Sequence, residues 1–456
     1  MPRDEQMLAK VRADRYIFNN HEKSCREDKR IMSELRIAIA GLGVVGAETA
    51  RQLVTAADKL SARAGVALRL VAISARSDKD RGFDAAGLDF EADALALATR
   101  EDVDVVVELI GGADGVACEL VEASLNAGKH VVTANKALIA HHGQRLAGLA
   151  EQNGVRLKFE AAVAGGIPAL KVLREGLAGN EIKRVTGILN GTCNYILSEM
   201  TQTGRGFNDV LSEAQDKGYA EADPSFDVDG VDAAHKLAIL AALAFAEQID
   251  FEAVQVSGIR QITDTDIAYA GELGYIIKLL GHAEPQSPAV VQPCLVAKTG
   301  QLAQIGGALN AVEFRAEPVQ TILCTGPGAG AGPTASAVLA DLIDVASVRG
   351  GLPFGMRVGQ LAKAAPKTDK LARRFYLRLM VNDETGVLSA VTSILRDNQI
   401  SVESMLQKGQ SDDAPVALVL TTHPTEQSRI QTASDILSEA RFVSGAVLAL
   451  PIIDEA

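Results

Sequence analysis

The 456-residue sequence has no tryptophan, only 4% aromatic residues and five cysteines. The cysteines are scattered, without a CxxC pair or metal-site spacing, which indicates reduced thiols of a cytoplasmic protein rather than a disulfide framework. No apolar run approaches the roughly 20 residues that cross a bilayer, so no membrane association is predicted. The net charge of -13 disfavours a general nucleic-acid binder, because phosphate contacts need a basic surface.

The length and the changing pattern along the chain predict several domains of α/β class. Residues 1–33 are predicted to be a polar, poorly ordered extension. Residues 34–165 alternate strands with helices, which predicts a Rossmann-type doubly wound parallel sheet. Three further segments are predicted: an α+β domain at 166–350, whose helix after 333 could return to the first domain, a linker at 351–372, and a separate βαββαβ unit at 373–456.

A glycine-rich turn follows the first predicted strand and opens a helix. In Gly41-Leu-Gly43-Val44-Val45-Gly46, the first glycine permits a tight turn, the second lets the backbone approach a pyrophosphate, and the third allows close helix–strand packing. The helix N-terminus then faces the phosphates. The motif predicts a dinucleotide site, with glycine-rich packing as the alternative.

The end of the second predicted strand bears on the type of cofactor. An NAD enzyme places Asp or Glu there to bind the ribose 2′-hydroxyl. This chain instead has Ser74-Ala-Arg76-Ser77, followed by Lys79 and Arg81. Cationic groups beside a serine suit a 2′-phosphate, so the segment favours NADP and leaves NAD open. The alternative is a solvated basic loop.

The segment from Ala214 to Lys236 carries the most chemistry. A helix predicted to begin near Val231 places Asp232 and Lys236 at i and i+4, on one face. The sequence after Lys236 is almost entirely apolar, which predicts a buried helix and a desolvated Lys236 paired with Asp232. Such an amine can exchange a proton with an alcohol. The alternative is an acidic helix start with a lysine that extends to water.

Lys136 is a second candidate, because it follows a predicted strand end, where ligands bind in open α/β sheets. Its alternative is an ordinary surface lysine in the first turn of a helix. His141, His142 and His235 lack the spacing of metal ligands and are interpreted as structural or solvent-facing.

Several ordered motifs resemble those of the homoserine dehydrogenase family. The resemblance spans about residues 35 to 350, with Cys193 standing where threonine is more usual. Its motifs are Gly41–Gly46, Val131–Lys136, Glu160–Pro168, Asn190–Asn194, Ala214–Lys236 and the loop from Gly326.

The resemblance implies reversible reduction of aspartate 4-semialdehyde to homoserine. It implies that Lys236 is the proton donor and acceptor and that Asp232 holds it. Glu221 would bind the substrate amino group, Asp227 would belong to the same pocket, and Lys136 would contact both substrate and nicotinamide.

The resemblance also implies a set of ligand contacts and an oligomer. A homodimer or homotetramer would form through the second domain. A monovalent cation, Na⁺ or K⁺, would be bound mostly by backbone carbonyls at Glu160, Val163, Gly165 and Ile167. The cofactor would contact Gly41, Gly43, Val44, Val45, Gly46, Arg76, Ile110, Gly111, Lys136 and Gly328.

The C-terminal unit resembles an ACT domain, a small amino-acid-sensing module, through the turn Asn382-Asp-Glu-Thr-Gly386. The resemblance implies feedback control, with threonine as the effector. A purely structural or dimerising domain is the alternative. For the whole chain, the alternatives are another amino-acid-derived dehydrogenase and a catalytically inactive sensor that binds a dinucleotide and an amino acid.

Overall fold

The computed structural model describes residues 33–77, 79, 81–364, 371–408 and 414–453. The predicted extension at 1–33 lies outside this part of the chain except for its last residue. The described residues form one six-stranded and one eleven-stranded sheet. None of their helices is both long enough and apolar enough to span a membrane.

The first sheet is parallel, in the order β3-β2-β1-β4-β5-β6, and confirms the predicted doubly wound fold. The strand order reverses between β1 and β4, which is where such sheets bind ligands. Its strands are β1 (Glu34–Ala40), β2 (Ala67–Ser74), β3 (Asp89–Glu91), β4 (Val105–Glu108), β5 (His130–Thr133) and β6 (Leu157–Lys158). Its helices are α1 (Val44–Thr55), α2 (Ala57–Ala64), α3 (Ala96–Thr99), α4 (Val116–Asn126) and α5 (Lys136–Gln152).

The helix predicted after the glycine turn is followed at once by a second one. The two are separated at Ala56, whose backbone leaves helical geometry at φ -116° and ψ 21°. The strand β3 was not predicted, because it is only three residues long and carries two acidic side chains.

The second domain supplies the centre of the mixed sheet, in the order β12-β11-β7-β9-β10 with β8 beside β10. Its strands are β7 (Glu181–Ile188), β8 (Gln255–Val256), β9 (Tyr275–Glu284), β10 (Ser287–Ala297), β11 (Leu309–Glu317) and β12 (Gln320–Pro327). Its helices are α6 (Ala169–Lys171), α7 (Gly191–Thr203), α8 (Phe207–Asp216), α9 (Ser225–Val228), α10 (Val231–Phe245), α11 (Asp264–Glu272) and α12 (Ala331–Ala346).

Two helices connect the domains. The helix α10 is apolar almost all round and packs between α5 and the strands β7, β9 and β10. The helix α12 packs against α1 and buries Val338 and Leu342 in the core of the first domain. The chain therefore returns to the first sheet after crossing the second domain.

The C-terminal unit has the predicted βαββαβ order with one additional short strand. Its elements are β13 (Ala372–Val381), α13 (Val387–Asp397), β14 (Val402–Gln407), β15 (Val416–Thr422), β16 (Thr425–Glu426), α14 (Gln427–Ser438) and β17 (Leu448–Ile453).

The sheet of this unit continues into the second domain, a connection that was not predicted. The strand β17 pairs in parallel with β10, with Leu295 opposite Ile452, so both domains share one sheet. Successive side chains of β13 point to opposite faces of the sheet. Phe375 packs in the core of the C-terminal unit, and Tyr376 packs in the hydrophobic core that includes the second domain. A sequence pattern does not show which strand edges will meet, and here two edges join.

Candidate active site

The glycine turn after β1 has the geometry that the motif predicts. Gly41 has φ +93°, and a Cβ there would lie 2.4 Å from the carbonyl oxygen of Leu109. A Cβ on Gly46 would lie 1.9 Å from the carbonyl oxygen of Gly41, so neither position accepts a side chain. A Cβ on Gly43 would meet nothing within 4 Å, which leaves its backbone open to a ligand. Residues 44–45 form the first turn of α1.

A cleft of about 610 Å³ lies beside this turn and is lined by Gly41, Gly43, Arg76 and Ile110. Arg81, one of the cationic groups predicted to suit a 2′-phosphate, also lines it and donates from Nε to the Leu42 carbonyl oxygen at 3.2 Å. The loop after β2 therefore turns basic groups toward the cleft. The cleft combines these basic groups with apolar lining residues such as Leu42, Leu109 and Ile110, a mixture that is typical of small-molecule sites.

Sequence reasoning missed Glu108, the last residue of β4. Its fully buried carboxylate accepts from the backbone N–H groups of Ile110 and Gly111, at 2.7 and 3.1 Å, and from the Thr133 hydroxyl at 2.5 Å. These hydrogen bonds fix the turn after β4, which lines the cleft through Leu109 and Ile110. The available signal was an acidic residue that ends an otherwise apolar strand.

The catalytic candidates meet at the start of α10. Lys236 Nζ lies 2.7 Å from Asp232 Oδ2 and donates to the Leu189 carbonyl oxygen at 2.7 Å. Both side chains are buried, so the predicted desolvated ion pair is present. Burial alone would raise the pKa of Asp232, but Lys236 and Lys136 hold it below its ordinary value. The carboxylate is therefore ionised and fixed beside the amine.

Lys136 joins this pair from the first domain. Its Nζ lies 3.1 Å from Asp232 Oδ1, so one carboxylate binds two ammonium groups. The preceding residue, Asn135, caps α5 by accepting from the Leu138 N–H, and donates to the Gly112 carbonyl oxygen at 2.6 Å. The loop after β4 and the Asp232–Lys236 pair are thus linked through two adjacent residues, Asn135 and Lys136.

Asn190, which had no predicted role, organises the carboxylates. Its Nδ2 donates to Asp232 and to Asp227, each at 2.8 Å, and its Oδ1 caps α7 by accepting from the Cys193 N–H. Burial raises the pKa of Asp227, which also accepts from Thr192 at 3.2 Å. The Asn-Gly-Thr motif at the end of a strand was visible in the sequence, and this geometry explains its residue types.

Cys193 is buried under the same carboxylates. Its Sγ donates to the Asp227 carbonyl oxygen at 3.2 Å, and burial raises the pKa of the thiol well above its ordinary value. A thiol held in its neutral form is a packing group, not a nucleophile. Four of the five cysteines lie in the described part of the chain, and all four are free.

His141 and His235 pack together with aromatic rings beside the ion pair. His235 stacks on Phe251, with ring centroids 4.3 Å apart, and its Nε2 lies 3.3 Å from His141 Nε2. Burial, His141 and Lys136 lower the pKa of His235 to about 4, so the ring is neutral. Phe226 covers the other face of His235 and lies 5.4 Å from Lys136 Nζ. The described residues contain no cluster of acids, cysteines and histidines suited to a metal ion.

Glu221 stands apart from the buried ion pairs. It is exposed on the loop between α8 and α9, and its backbone carbonyl accepts from Gln215 at 3.0 Å. Its carboxylate makes no hydrogen bond or ion pair with the rest of the described chain. The side chain is therefore open to an external cation.

Gly328 and the predicted cation loop face each other. A Cβ on Gly165 would lie 2.4 Å from the Gly328 carbonyl oxygen, and the Gly166 N–H donates to the Pro327 carbonyl oxygen at 3.0 Å. Val163 and Ile167 are buried. Glu160 is buried as well and directs its carboxylate to backbone N–H groups of α6 rather than into the loop.

Family models match three consecutive parts of the chain. The homoserine dehydrogenase model matches residues 168–343, the homoserine dehydrogenase NAD-binding model matches 41–160, and the ACT domain model matches 375–442. The homoserine dehydrogenase of Neisseria gonorrhoeae is 43% identical over 88% of this chain and 94% of its own. The chain belongs to the homoserine dehydrogenase family.

Solved structures agree with this membership. The crystal structure of a homoserine dehydrogenase from Thiobacillus denitrificans superposes with a TM-score of 0.86, at 41% identity, over 92% of this chain and 98% of its own. A hyperthermophilic archaeal homoserine dehydrogenase in complex with NADPH has a TM-score of 0.61, at 28% identity, over 70% of this chain and 99% of its own.

Family membership decides among the interpretations of the sequence. The chain is an NAD(P)-dependent oxidoreductase of amino-acid biosynthesis with a C-terminal ACT domain. The inactive sensor has no support in these likenesses, and the Asp232–Lys236 pair keeps the groups that a sensor would not need. The roles of individual site residues stay predictions.

Proposed function

We propose that the chain catalyses the reversible NAD(P)H-dependent reduction of L-aspartate 4-semialdehyde to L-homoserine. The observation that carries the proposal is the buried Lys236 ammonium, fixed between Asp232 and the Leu189 carbonyl, beside Lys136 at the start of α5. Family membership supports the substrate pair.

A nicotinamide held along the Gly41–Gly46 turn would supply hydride chemistry, and the aldehyde oxygen of the substrate would then need a proton and a positive neighbour. Lys236 donates the proton that this oxygen needs, and in the reverse direction it accepts the hydroxyl proton. Asp232 orients the amine and stabilises its charged form. Lys136 brings a second positive group to the same place, which stabilises the developing alkoxide.

We propose that Glu221 and Asp227 bind the rest of the substrate. The exposed carboxylate of Glu221 is a natural partner for the substrate ammonium group. Asp227 is held by Asn190 and Thr192, which fixes the wall of the pocket.

NADP is proposed as the preferred cofactor. Arg76, Lys79 and Arg81 surround the end of β2, where an NAD enzyme would place an acid. The related archaeal enzyme solved with NADPH supports this preference. The predicted contacts at Val44, Gly111 and Gly328 belong to the same proposal.

A monovalent cation is proposed at the loop from Glu160 to Ile167, where carbonyl oxygens would hold it and brace the loop. Ala164 and Gly165 both have positive φ, at 56° and 52°, so the chain turns tightly enough to bring successive carbonyls together. The thermal midpoint should rise in K⁺ or Na⁺ relative to tetramethylammonium at equal ionic strength. Equal midpoints in all three salts would remove the proposal.

A spectrophotometric assay tests the reaction. The purified chain should oxidise NADPH in the presence of aspartate semialdehyde, and Lys236→Ala should lower kcat by roughly 10²–10⁴-fold. Lys183→Ala, a surface lysine paired with Glu181, is the matched control and should leave kcat unchanged. Normal turnover by the Lys236 variant would disprove its assigned role.

We further propose that the ACT domain makes the enzyme sensitive to threonine and that the enzyme is a cytoplasmic homodimer or homotetramer. The shared sheet supports the regulation, because β17 joins the ACT domain to β10 of the second domain. Activity of the full chain should fall when L-threonine is added. Light scattering should give a mass of two or four chains.

A further inference from the structure

A small cavity lies where the strands of the second domain meet those of the ACT domain. Its volume is about 220 Å³, below the roughly 300 Å³ at which pockets for drug-sized molecules begin. The second domain contributes Arg184, His282 and Glu284, and the ACT domain contributes the start of β13 and the end of β17. We call this cavity the seam pocket.

The register of the sheet brings opposite charges together in the seam pocket. Val185 on β7 pairs with Ala283 on β9, which places the neighbouring Arg184 opposite Glu284 on the same face. Arg184 binds Glu313 through Nη2 at 3.3 Å, but its buried Nε has no hydrogen-bond partner. A buried N–H without an acceptor is costly, and a carboxylate ligand would supply that acceptor.

Glu284 is held as a carboxylate at the other side. His282 donates from Nε2 to Glu284 Oε1 at 3.2 Å, while its Nδ1 accepts from the Thr186 hydroxyl at 3.3 Å. The His282 hydrogen bond and the charges of Arg373 and Arg184 lower the pKa of Glu284. An ammonium group is the complementary ligand for this oxygen pair.

The ACT side of the seam pocket is also anchored to the catalytic side. Arg374 on β13 donates to the Tyr275 hydroxyl of β9 at 3.0 Å and pairs with Glu403. Arg373 lines the pocket and lies near enough to Glu284 to act on its charge. Ligand contacts on both walls would therefore tighten one domain against the other.

We propose that the seam pocket binds a small α-amino acid, with its carboxylate on Arg184 and its ammonium group on Glu284. This inference rests on the proposed threonine regulation and gives it a site. The strand β7 leads from Arg184 to Ile188. The next residue, Leu189, holds Lys236 through its carbonyl, so a ligand that shifts β7 would also shift the partner of the catalytic amine.

The test uses the full chain with L-threonine as the probe, measured by calorimetric binding and by inhibition of NADPH oxidation. Arg184→Gln and Glu284→Gln should each raise the dissociation constant and the inhibition midpoint at least tenfold. Glu284→Gln keeps an acceptor for His282 and should therefore fold. It tests threonine binding at the seam pocket even if the Arg184 variant fails to fold. L-threonine methyl ester, which lacks the carboxylate, should not inhibit.

Lys183→Gln is the matched control, because Lys183 neighbours Arg184 on the opposite face of β7 and pairs with Glu181. It should bind threonine as the parent does. Unchanged threonine inhibition in Glu284→Gln would disprove binding at the seam pocket but would leave threonine regulation of the enzyme in place. A parent chain that neither binds threonine nor is inhibited by it would overturn both, whereas dehydrogenase activity would stand.

Discussion

Two clusters of buried charge lie where the first sheet meets the second domain, and they are bonded differently. The catalytic cluster consists of Lys136, Asn190, Asp232 and Lys236. The hinge cluster consists of Lys158, Glu160, Lys171, Arg174 and Asp341. In the catalytic cluster both Asp232 oxygens and the Lys236 amine have partners at 2.7–3.1 Å.

The hinge cluster has three basic and two acidic side chains and is incompletely hydrogen-bonded. Lys158 Nζ, Glu160 Oε2 and Asp341 Oδ1 are buried without a hydrogen-bond partner among the described residues. Burial lowers the pKa of Lys158 to about 8 and raises the pKa of Glu160 to about 7, whereas Asp232, equally buried, stays ionised. Direct partners, rather than burial, decide whether a buried group keeps its charge.

The largest expected effect comes from breaking the catalytic cluster. Asp232→Asn leaves two ammonium groups without their carboxylate, which should cost about 3–5 kcal/mol of unfolding free energy and most of kcat. Urea unfolding and the NADPH assay measure the two losses. Asp397→Asn, in an exposed pair with Arg396, is the control and should change neither. A stable, active Asp232 variant would contradict the contrast between the clusters.

The matched change in the hinge cluster should be milder. Burial raises the pKa of Asp341 to about 6, so its charge is already weakly held, and Asn keeps an acceptor for the Glu160 N–H that Asp341 Oδ2 now binds at 2.8 Å. Asp341→Asn should cost about 1–2 kcal/mol, the worth of an altered buried hydrogen bond, with kcat within a factor of about two. A loss as large as that of Asp232→Asn would show that the two clusters are equivalent.

Lowering the pH should reduce the stability of the fold through His235, which lies beside the catalytic cluster. The folded state lowers the pKa of His235 to about 4, and the unfolded state takes up that proton near pH 6.5. The contribution of neutral His235 is complete above pH 6.5 and is lost as the pH falls toward 4. Urea unfolding of His235→Gln should therefore show a weaker loss of stability than the parent between pH 6.5 and 4.

His142→Gln is the control for this pH dependence, because His142 lies at the surface beside Asp114. Its curve should keep the parent slope between pH 6.5 and 4. If His235→Gln also keeps that slope, the buried ring is not the group that titrates.

The central pair of the catalytic cluster could be predicted from the sequence because it is local, whereas the contacts of Asn190 and Lys136 with Asp232 are long-range and were not predicted. Asp232 and Lys236 are four residues apart in an apolar helix, and the periodicity alone places them together. The hinge cluster joins Glu160 to Asp341, 181 residues away, through a backbone N–H that no pattern marks. Bonds of that range depend on where α12 returns in the fold.

The fold shows the same division between local and long-range information. The parallel sheet was predictable because its strands are short apolar runs ended by glycine or polar residues. The hairpin β11–β12 was not predicted, since β12 is largely exposed and carries few apolar residues to mark it. The joining of β10 to β17 depends on only two residue pairs, and no sequence signal accompanies them.

The smallest expected effect comes from the cofactor cleft, where the charge is exposed rather than buried. Arg76 lies at the surface of the cleft, so its attraction for a 2′-phosphate is screened by water and is worth far less than a buried pair. Arg76→Ala should weaken NADPH binding by roughly tenfold, or about 1.4 kcal/mol, and leave NADH binding unchanged. Fluorescence titration with both dinucleotides measures the difference. Equal weakening of NADPH and NADH would place Arg76 away from the 2′-phosphate, and the preference for NADP would then depend on Lys79 and Arg81.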